Sequence, residues 1–379
     1  MSLILTDEQK DIQMMARNFA QNEIAPLAEE MDRESKMKPE IIAQLAELGF
    51  LGAIIPEEYG GAGLDEVSNI LIISEIAKAD ASVAEVVSVH SLACNLIMRF
   101  GTEEQKKKYL PRAAAGKVGA FALTEPGAGS DASAAKTKAI ADGDDYVING
   151  TKCFISNMGP EEGDFVILIA LTEPEKKTHG MSAIIVDRGT KGFTVGKRED
   201  KMGLRAADVS ELIFDDCRVP KSQRLGEEGR GFMIAMTGLD GGRIGMAAQA
   251  VGIAQEAIDQ AVKYSKERVQ FGKPISANQG IQWYLADMAT TTEAAALLTL
   301  NAAKLHMSGA PAGKEAAMAK YFASENAVKV CDKALQIHGG YGYMKDYPIE
   351  RMYRDARIIP LYEGTSEVQK MVISRAVIQ

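Results

Sequence analysis

The sequence predicts an α+β protein with a helical N-terminal domain, a central antiparallel β-barrel or β-sandwich domain, and a C-terminal helical bundle. Apolar residues recur at helical spacing near both ends of the chain, while β-prone runs separated by Gly, Asn and Asp fill the middle. Segregated runs of this kind favour separate α and β layers over a βαβ alternation. We place the domains at residues 1–118, 119–228 and 229–379.

Bulk composition limits what the chain can be. It has 379 residues, 46% hydrophobic and 25% charged, which is enough for two or three domains around a substantial core. A net charge of −9 argues against nucleic acid as the main partner, because such partners usually need a broad basic surface. Scattered cysteines without C-x-x-C, and histidines without H-E-x-x-H, predict neither a disulfide framework nor a metal site.

Two further absences bear on location. The opening MSLILTDEQKDIQ lacks a basic stretch followed by an apolar core, so we predict no signal peptide. No run approaches about 18 apolar residues, so we predict no membrane span. The sequence therefore predicts a cytoplasmic protein.

The first domain carries two helix-start signals. Thr6–Gln9 and Thr102–Gln105 both have the capping-box form, in which a Thr hydroxyl and a Gln side chain satisfy each other's backbone N–H groups. The turn-rich stretch Pro56–Gly63 separates them. We therefore expect helices on both sides of a glycine-rich break.

The middle domain is identified by strand-like runs. Asn149-Gly150 lies between two β-prone segments, and this dipeptide predicts a hairpin turn because both residues tolerate positive φ. The runs DFVILIAL, MSAIIVD and ELIFDDCRVP continue the pattern.

The last domain returns to long helices. Val251, Ala254, Ile258 and Ala261 fall on one helical face. Residues 283–305 and 316–336 are predicted as two more helices. Several helices with short links are typical of a bundle.

Two short segments could carry chemistry, although the usual nucleotide-binding motifs are absent. No G-x-G-x-x-G follows a strand into a helix, and there is no G-x-x-x-x-G-K-[ST]. FALTEPGAGSD, residues 121–131, has a glycine-rich backbone that a ligand could approach closely, but taken alone it is an ordinary surface turn. LYEGTSEVQK, residues 361–370, places Glu363 between a tyrosine and a glycine, and an isolated Glu is normally solvated.

Five segments in register change this interpretation. FALTEPGAGSD, NGTKCFISN, KERVQFGKPI, QIHGGYGY and LYEGTSEVQ occur in that order, and together they resemble the acyl-CoA dehydrogenases, flavoproteins that desaturate acyl thioesters. The resemblance is strongest to the short-chain, or butyryl-CoA, branch and runs over nearly the whole chain. It implies FAD as the cofactor, acyl-CoA as the substrate and an electron-transfer flavoprotein as the partner.

The resemblance also implies residues that hold the flavin. Leu123 and Thr124 would face the isoalloxazine ring. Phe154, Ile155 and Ser156 would lie along it, with the Ser156 hydroxyl near N5. Many members of the family have Trp-Ile-Thr at these three positions. Phe154 keeps the aromatic ring of that Trp, and Ser156 keeps the hydroxyl of that Thr.

The resemblance also implies residues through which one FAD would contact two subunits, and such a site requires an oligomer. In this family the oligomer is a homotetramer built as a dimer of dimers. The planar guanidinium group of Arg268 suits a pyrophosphate, and an exposed salt bridge is the alternative role for Arg268. The implied contacts are Arg268, Phe271 and Gln279 to a neighbouring subunit's FAD, Gln336, Gly339 and Gly340 to its adenine end, and Thr365 and Glu367 from the first subunit.

Substrate contacts follow from the same resemblance. Ser130 would lie near the CoA arm, and Asp240 and Arg243 are candidate CoA contacts, with an ordinary polar helix turn as the alternative. Tyr362 would form a wall of the pocket, and Gly364 would leave room for the acyl chain.

Glu363 is the implied catalytic base. Removing the proton α to a thioester requires a base within hydrogen-bond reach of Cα, and burial raises the pKa of a carboxyl toward working pH. The family places donors to the thioester oxygen on a flavin ribityl hydroxyl and on the backbone N–H of the base. Some relatives carry the base at the position that matches Gly242, which has no side chain here. This pattern matches the straight-chain enzymes.

The implied reaction is the interconversion of butyryl-CoA and crotonyl-CoA, in either direction. A branched-chain or glutaryl-type acyl-CoA dehydrogenase and a non-enzymatic CoA-binding relative are the alternatives. An acyl-CoA oxidase is disfavoured, because the large additional C-terminal domain usual in that group is not present in the sequence. A bacterial cytosol fits the sequence, and a processed chain of the mitochondrial matrix is the alternative location.

Overall fold

The computed structural model describes residues 5–159 and 163–378, and it has the predicted order of helical, β and helical regions. Helices of the first region are α1 (Asp7–Phe19), α2 (Ala28–Glu34), α3 (Pro39–Glu47), α4 (Glu66–Ala79), α5 (Ala81–Phe100) and α6 (Glu103–Ala114). Both predicted capping boxes form, at Thr6 before α1 and at Thr102 before α6. The glycine-rich stretch Pro56–Gly63 is a loop with one short 3-10 turn, as predicted.

The middle region is one mixed sheet. Its strands are β1 (Val118–Ala122), β2 (Lys138–Asp142), β3 (Asp145–Ser156), β4 (Gly163–Leu171), β5 (Met181–Asp187), β6 (Phe193–Arg198), β7 (Val209–Pro220) and β8 (Arg224–Leu225). The order is β6-β7-β3-β2-β4-β5-β8, with β1 beside β4. Most pairs are antiparallel, but β1–β4 and β2–β4 are parallel. The sheet therefore departs from the purely antiparallel barrel or sandwich that the sequence predicted.

The predicted hairpin at Asn149-Gly150 is wrong. Strand β3 runs straight through both residues, and its pairing with β7 shifts register between Ile148 and Gly150. The Asn149 side chain bonds across to Asp216 instead of closing a turn. Gly150 is required for close approach, because a Cβ there would lie 2.5 Å from Thr137 Oγ1. The actual β2–β3 hairpin pairs Asp142 with Asp145.

The last region contains the long helices. They are α7 (Gly231–Glu267), α8 (Gln279–Met307), α9 (Gly313–His338), α10 (Ile349–Ala356) and α11 (Ser366–Ile378), with a small hairpin of β9 (Val269–Gln270) and β10 (Lys273–Pro274). Helices α7, α8 and α9 contact one another, and α11 contacts α9. The two helices predicted at 283–305 and 316–336 correspond to α8 and α9.

One core joins the two helical regions. Apolar residues from α1, α4, α5, α7, α8 and α9 form a single buried cluster. Strand β4 is buried on both faces, since Phe165 and Ile167 pack toward α5 and α6 while Val166 and Leu168 pack within the sheet. This arrangement places α5 between the sheet and the C-terminal helices.

Helix α5 has the length and composition of a membrane span. Within the described part of the chain it is the single helix that meets this criterion, and 83% of its apolar window is buried inside the protein. Core helices meet the same criterion, so this is weak evidence for a span.

Helix α5 is fixed against strand β1 by one side chain at the end of β3. Asn157 Nδ2 donates to Val86 O at 3.0 Å and to Gly119 O at 3.2 Å.

Candidate active site

The loop between α10 and α11 presents Glu363 in an unusual backbone conformation. Its φ is 53°, in the left-handed region that non-glycine residues rarely adopt, and Gly364 follows at 91°. The residue is half-buried, but its Oε2 atom is fully buried and has no hydrogen-bond partner. A buried, unpaired carboxylate oxygen held by a strained turn is free to meet a ligand.

Burial raises the pKa of Glu363 to about 7. The positive charges of Arg243 and then Lys320 act in the opposite direction, and the negative charge of Glu85 adds to the rise. A base with this pKa is substantially ionised near neutral pH while remaining basic enough to accept a proton. The electrostatics therefore suit proton abstraction.

Helix α7 passes directly beneath this carboxylate. A Cβ added to Gly242 would lie 2.8 Å from Glu363 Oε2 and 2.8 Å from Leu92 Cδ1. The absence of a side chain at position 242 therefore makes the space that Glu363 occupies. Positions 242 and 363, which carry the base in different members of the family according to the resemblance, are therefore neighbours in the structure.

Tyr362 anchors the base loop to the N-terminal helices. Its hydroxyl donates to Gln249 Oε1, and Gln249 Nε2 donates to Ala81 O at 2.7 Å. Burial, with the charges of Glu85 and Glu363, raises the pKa of Tyr362 well above its usual value. The phenol of Tyr362 therefore stays neutral and keeps its proton for the bond to Gln249.

Ser156 meets a carboxyl group that the sequence analysis did not identify. Its hydroxyl donates to Glu85 Oε1 at 2.7 Å, and the other Glu85 oxygen is buried without a partner. Burial raises the pKa of Glu85 as well. Glu85 lies on the apolar helix α5, and no local motif distinguishes it, so only the fold could reveal its place beside Ser156.

The predicted flavin residues of the sheet differ in exposure. Phe154 has φ 58° and is 65% exposed, so its ring is open to a ligand. Ile155 is 3% exposed and packs in the sheet core, which leaves only its backbone for contact. Leu123 and Thr124 are half-buried.

A buried ion pair supports the glycine-rich loop. Lys152 Nζ donates to Glu125 Oε1 and to Leu123 O, both at 2.8 Å. Glu125 also accepts the backbone N–H groups of Lys136 at 2.7 Å and Thr137 at 3.0 Å. The sequence analysis did not predict a role for either charged residue, because nothing in the sequence shows that Lys152 is fully buried.

The other end of the glycine-rich loop is open. Ser130 is exposed there, and a Cβ on Gly127 or Gly129 would meet nothing within 4 Å.

Asp240 and Arg243 form an ion pair on α7. Arg243 Nη1 donates to Asp240 Oδ1 at 2.7 Å, while Arg243 Nε is buried without a partner. Burial raises the pKa of Asp240, and the charges of Arg243 and His306 oppose that rise. Arg243 is 5% exposed, and its positive charge also favours the ionised form of Glu363 and so lowers the pKa of that carboxyl.

The residues predicted to reach a second FAD lie away from Glu363, at the far ends of α7, α8 and α9. Phe271 is fully exposed with φ 53°, and Arg268 lies over the ring of Tyr341, 5.5 Å from its centroid. That contact brings the end of α7 beside the segment that carries Gly339 and Gly340. The remaining members of this predicted set are Gln279, Gln336, Gly339 and Gly340, and all four are exposed. Thr365 and Glu367, which were predicted to contact FAD from the first subunit, lie instead close to Glu363 at the start of α11, where Thr365 is half-buried and Glu367 is exposed.

Comparison with known proteins decides the family. Models of the N-terminal, middle and C-terminal domains of acyl-CoA dehydrogenase match residues 6–117, 120–217 and 229–378. The chain belongs to the acyl-CoA dehydrogenase family. The resemblance found in the sequence is thereby confirmed, and so is the predicted fold class of helical, β and helical domains, apart from the mixed pairing of the sheet.

Individual acyl-CoA dehydrogenase family members are similar over their full length. The acryloyl-CoA reductase (NADH) of Anaerotignum propionicum is 54% identical over 382 residues, covering 100% of this chain and 96% of that protein. The structure of butyryl-CoA dehydrogenase from Megasphaera elsdenii matches with a TM-score of 0.97 at 48% identity, covering 99% of both chains. A chain solved in work on the electron transferring flavoprotein of Acidaminococcus fermentans and electron bifurcation has a TM-score of 0.97 at 50% identity, again covering 99% of both.

Proposed function

We propose that this acyl-CoA dehydrogenase family member is an FAD-dependent enzyme that interconverts short-chain acyl-CoA and 2-enoyl-CoA, with butyryl-CoA and crotonyl-CoA as the reference pair. One observation carries the proposal. The Glu363 carboxyl group has a buried oxygen without a hydrogen-bond partner, and its pKa is raised to about 7. It lies next to Gly242, which has no side chain to fill the same space. Most buried carboxylates that serve only the fold have their oxygens hydrogen-bonded, and a second buried carboxylate oxygen without a partner near this site belongs to Glu85, whose other oxygen is bonded to Ser156.

In the proposed reaction Glu363 removes the α-proton of the thioester. Its ionised form is required, and the charges of Arg243 and Lys320 favour that form. The backbone N–H of Glu363 would donate to the thioester oxygen, where negative charge develops. Tyr362, neutral and fixed by Gln249, limits the pocket. FAD, when bound, supplies the acceptor for the hydride that leaves Cβ.

The residues fit FAD on their exposure. Phe154 and Phe271 are large apolar side chains left open, and the Gly127–Gly129 turn has free space beside its backbone. Exposed aromatic rings are typical of binding surfaces. We propose that Leu123, Thr124, Phe154 and Ser156 hold the flavin of their own subunit, with Thr365 and Glu367. Ile155 would contribute through its backbone.

An oligomer follows from the same assignment. Arg268, Phe271, Gln279, Gln336, Gly339 and Gly340 lie at a surface remote from Glu363 and would hold the FAD of a neighbouring subunit. The homotetramer implied by the sequence would bring them to it.

One relative favours the reductive direction of the reaction. The Anaerotignum propionicum protein, 54% identical, is an acryloyl-CoA reductase. Reduction of a short 2-enoyl-CoA uses the same residues, with protonated Glu363 as the acid. An electron-transfer flavoprotein would be the partner in either direction, and the similar chain solved in work on the electron transferring flavoprotein of Acidaminococcus fermentans supports this.

The test begins with the visible spectrum of the pure protein and an anaerobic titration with butyryl-CoA. We expect flavin bands that bleach on addition, less with longer, branched or glutaryl thioesters. The reduced protein should be reoxidised by crotonyl-CoA or acryloyl-CoA. Bleaching by glutaryl-CoA or isobutyryl-CoA alone would overturn the substrate assignment, and absence of flavin after reconstitution would overturn the enzyme assignment.

A further inference from the structure

Lys320 is a fully buried lysine on α9 directly behind the base loop. Its Nζ donates to the Gly364 carbonyl oxygen at 2.7 Å. Burying an ammonium group is costly unless its charge is compensated. The negative groups that attract it are Glu363 first, then Glu325 and Glu367.

The carbonyl of Gly364 has a second donor. Gln369 Nε2, on α11, donates to Gly364 O at 2.8 Å and to Glu363 O at 3.0 Å. The turn that contains the two left-handed residues is thus held from α9 and from α11 at once. A neutral amide suffices for such a bond, as Gln369 shows, so holding the loop does not by itself explain a buried charge.

The neighbourhood of Glu363 explains the charge. The groups that act on this carboxyl come from four elements: Arg243 from α7, Lys320 from α9, Glu85 from α5 and Tyr362 from the loop itself. Arg243 is the stronger of the two cations that act on Glu363, but it also forms an ion pair with Asp240. Lys320 is the cation whose foremost charged partner is Glu363 itself.

We propose that Lys320 is a positioning residue for the base: it fixes the Glu363–Gly364 turn through the Gly364 carbonyl and favours the ionised carboxylate through its charge. This inference rests on the proposed role of Glu363. In this proposal Lys320 acts through the Gly364 carbonyl and through its charge, and not by contact with the reacting atoms.

Two variants separate the two effects. Lys320→Gln keeps a donor on the side chain and removes the charge. Gln369→Met removes a neutral clamp and leaves the charge. Lys263→Met, at an exposed site on α7, is the control for loss of one lysine.

The measurement is the rate of flavin bleaching by butyryl-CoA in single-turnover mixing, as a function of pH. Since Lys320 holds the pKa of Glu363 down, we expect Lys320→Gln to move the acid limb to higher pH. At pH 7 its rate should fall about tenfold to a hundredfold, with little change in substrate affinity, because a displaced or protonated base affects chemistry and not binding. Gln369→Met should lower the rate without moving the limb. Lys263→Met should behave as wild type.

A wild-type rate and an unmoved acid limb in Lys320→Gln would overturn the proposal. If that variant does not fold, Lys320→Arg keeps the charge, and the acid limb should then stay in place. A shifted limb in Lys320→Arg would count against the charge role.

A second readout is independent of turnover. The carboxyl band of Glu363, isolated by infrared difference against Glu363→Gln, gives its titration midpoint directly. The midpoint should be higher in Lys320→Gln than in the wild type. If Lys320→Gln does not fold, the midpoint in Lys320→Arg should equal that of the wild type. If the wild type fails to bleach with any thioester, the proposed function fails, while the infrared midpoint still decides the effect of Lys320.

Discussion

Gly242 and Glu363 share one space, since a methyl group on Gly242 would lie 2.8 Å from the Glu363 Oε2 atom. Heavy atoms cannot approach that closely without displacement, and the same methyl group would also lie 2.8 Å from Leu92 Cδ1. The position of the carboxylate is therefore set partly by a residue that has no side chain.

Gly242→Ala should displace the base. We expect the rate of flavin bleaching by butyryl-CoA to fall about a hundredfold, because misplacement of about 1 Å has that effect. The control is Gly241→Ala on the same helix, whose nearest contact would be an ordinary 3.5 Å to His306 Cε1. That variant should keep its activity and gain slightly in stability, since alanine favours helix more than glycine. Equal activity of the two variants would contradict the assignment of this space.

Glu363→Gln should abolish turnover and leave flavin binding intact. The neutral amide cannot accept the α-proton, and it occupies the same volume. Activity measured with butyryl-CoA should be lost, while the visible spectrum and circular dichroism match those of wild type. Glu40→Gln, at an exposed site on α3, is the matched control. Persistent turnover in Glu363→Gln would move the base elsewhere.

Glu85→Gln should shift the pH profile in the direction opposite to Lys320→Gln. The negative charge of Glu85 raises the pKa of Glu363, so its removal lowers that pKa. The acid limb of the bleaching rate should then move to lower pH. Ser156 keeps its hydrogen bond because the amide oxygen still accepts. An acid limb that stays in place would mean that Glu85 carries no charge in the working range.

Lys152→Met should destabilise the protein and loosen the flavin. It leaves the buried Glu125 without its cation, and breaking one side of a buried pair costs about 3–5 kcal/mol. Urea unfolding and retention of flavin on dialysis are the measurements. Lys138→Met, which removes an exposed lysine from neighbouring strand β2, should change neither. Equal stability of the two variants would show that the buried pair is not required.

Asp355→Asn should stabilise the protein above neutral pH. Burial raises the pKa of Asp355 to about 7, and the charge of Asp80 adds to the rise. A folded-state pKa above the unfolded value means that the folded state holds the proton longer. The contribution of Asp355 is therefore greatest below about pH 4 and is lost as pH rises through 7. Asparagine keeps the acceptor for the Leu204 N–H, which is 2.7 Å away.

Thermal unfolding of both forms between pH 4 and 8 measures this effect. The difference between variant and wild type should grow with pH, because the variant has no proton to lose. A difference that is constant with pH would contradict the assigned pKa.

The sequence predicted the features that local patterns encode. Capping boxes at Thr6 and Thr102 form because their partners are three residues away. The hairpin predicted at Asn149-Gly150 is wrong because pairing within the sheet outweighs the local turn preference. Strand β3 continues through both residues, and Gly150 is needed because Thr137 approaches its backbone closely. The parallel pairing of β1 with β4 joins distant segments and has no local signal.

The site followed the same division. Glu363 was found because its neighbours repeat a family motif. Lys320, Glu85 and the Lys152–Glu125 pair were not found, because their significance is burial next to another charge, and burial arises only when distant elements meet.

The left-handed backbone at Glu363 sets folding against activity. Glycine adopts φ near 53° without strain, and asparagine with little, so either residue relieves a backbone that glutamate tolerates at a cost. Libraries screened for solubility or heat resistance would enrich those replacements at position 363 and discard the base. Selection in such a campaign must therefore include turnover, or the most durable clones will be inert.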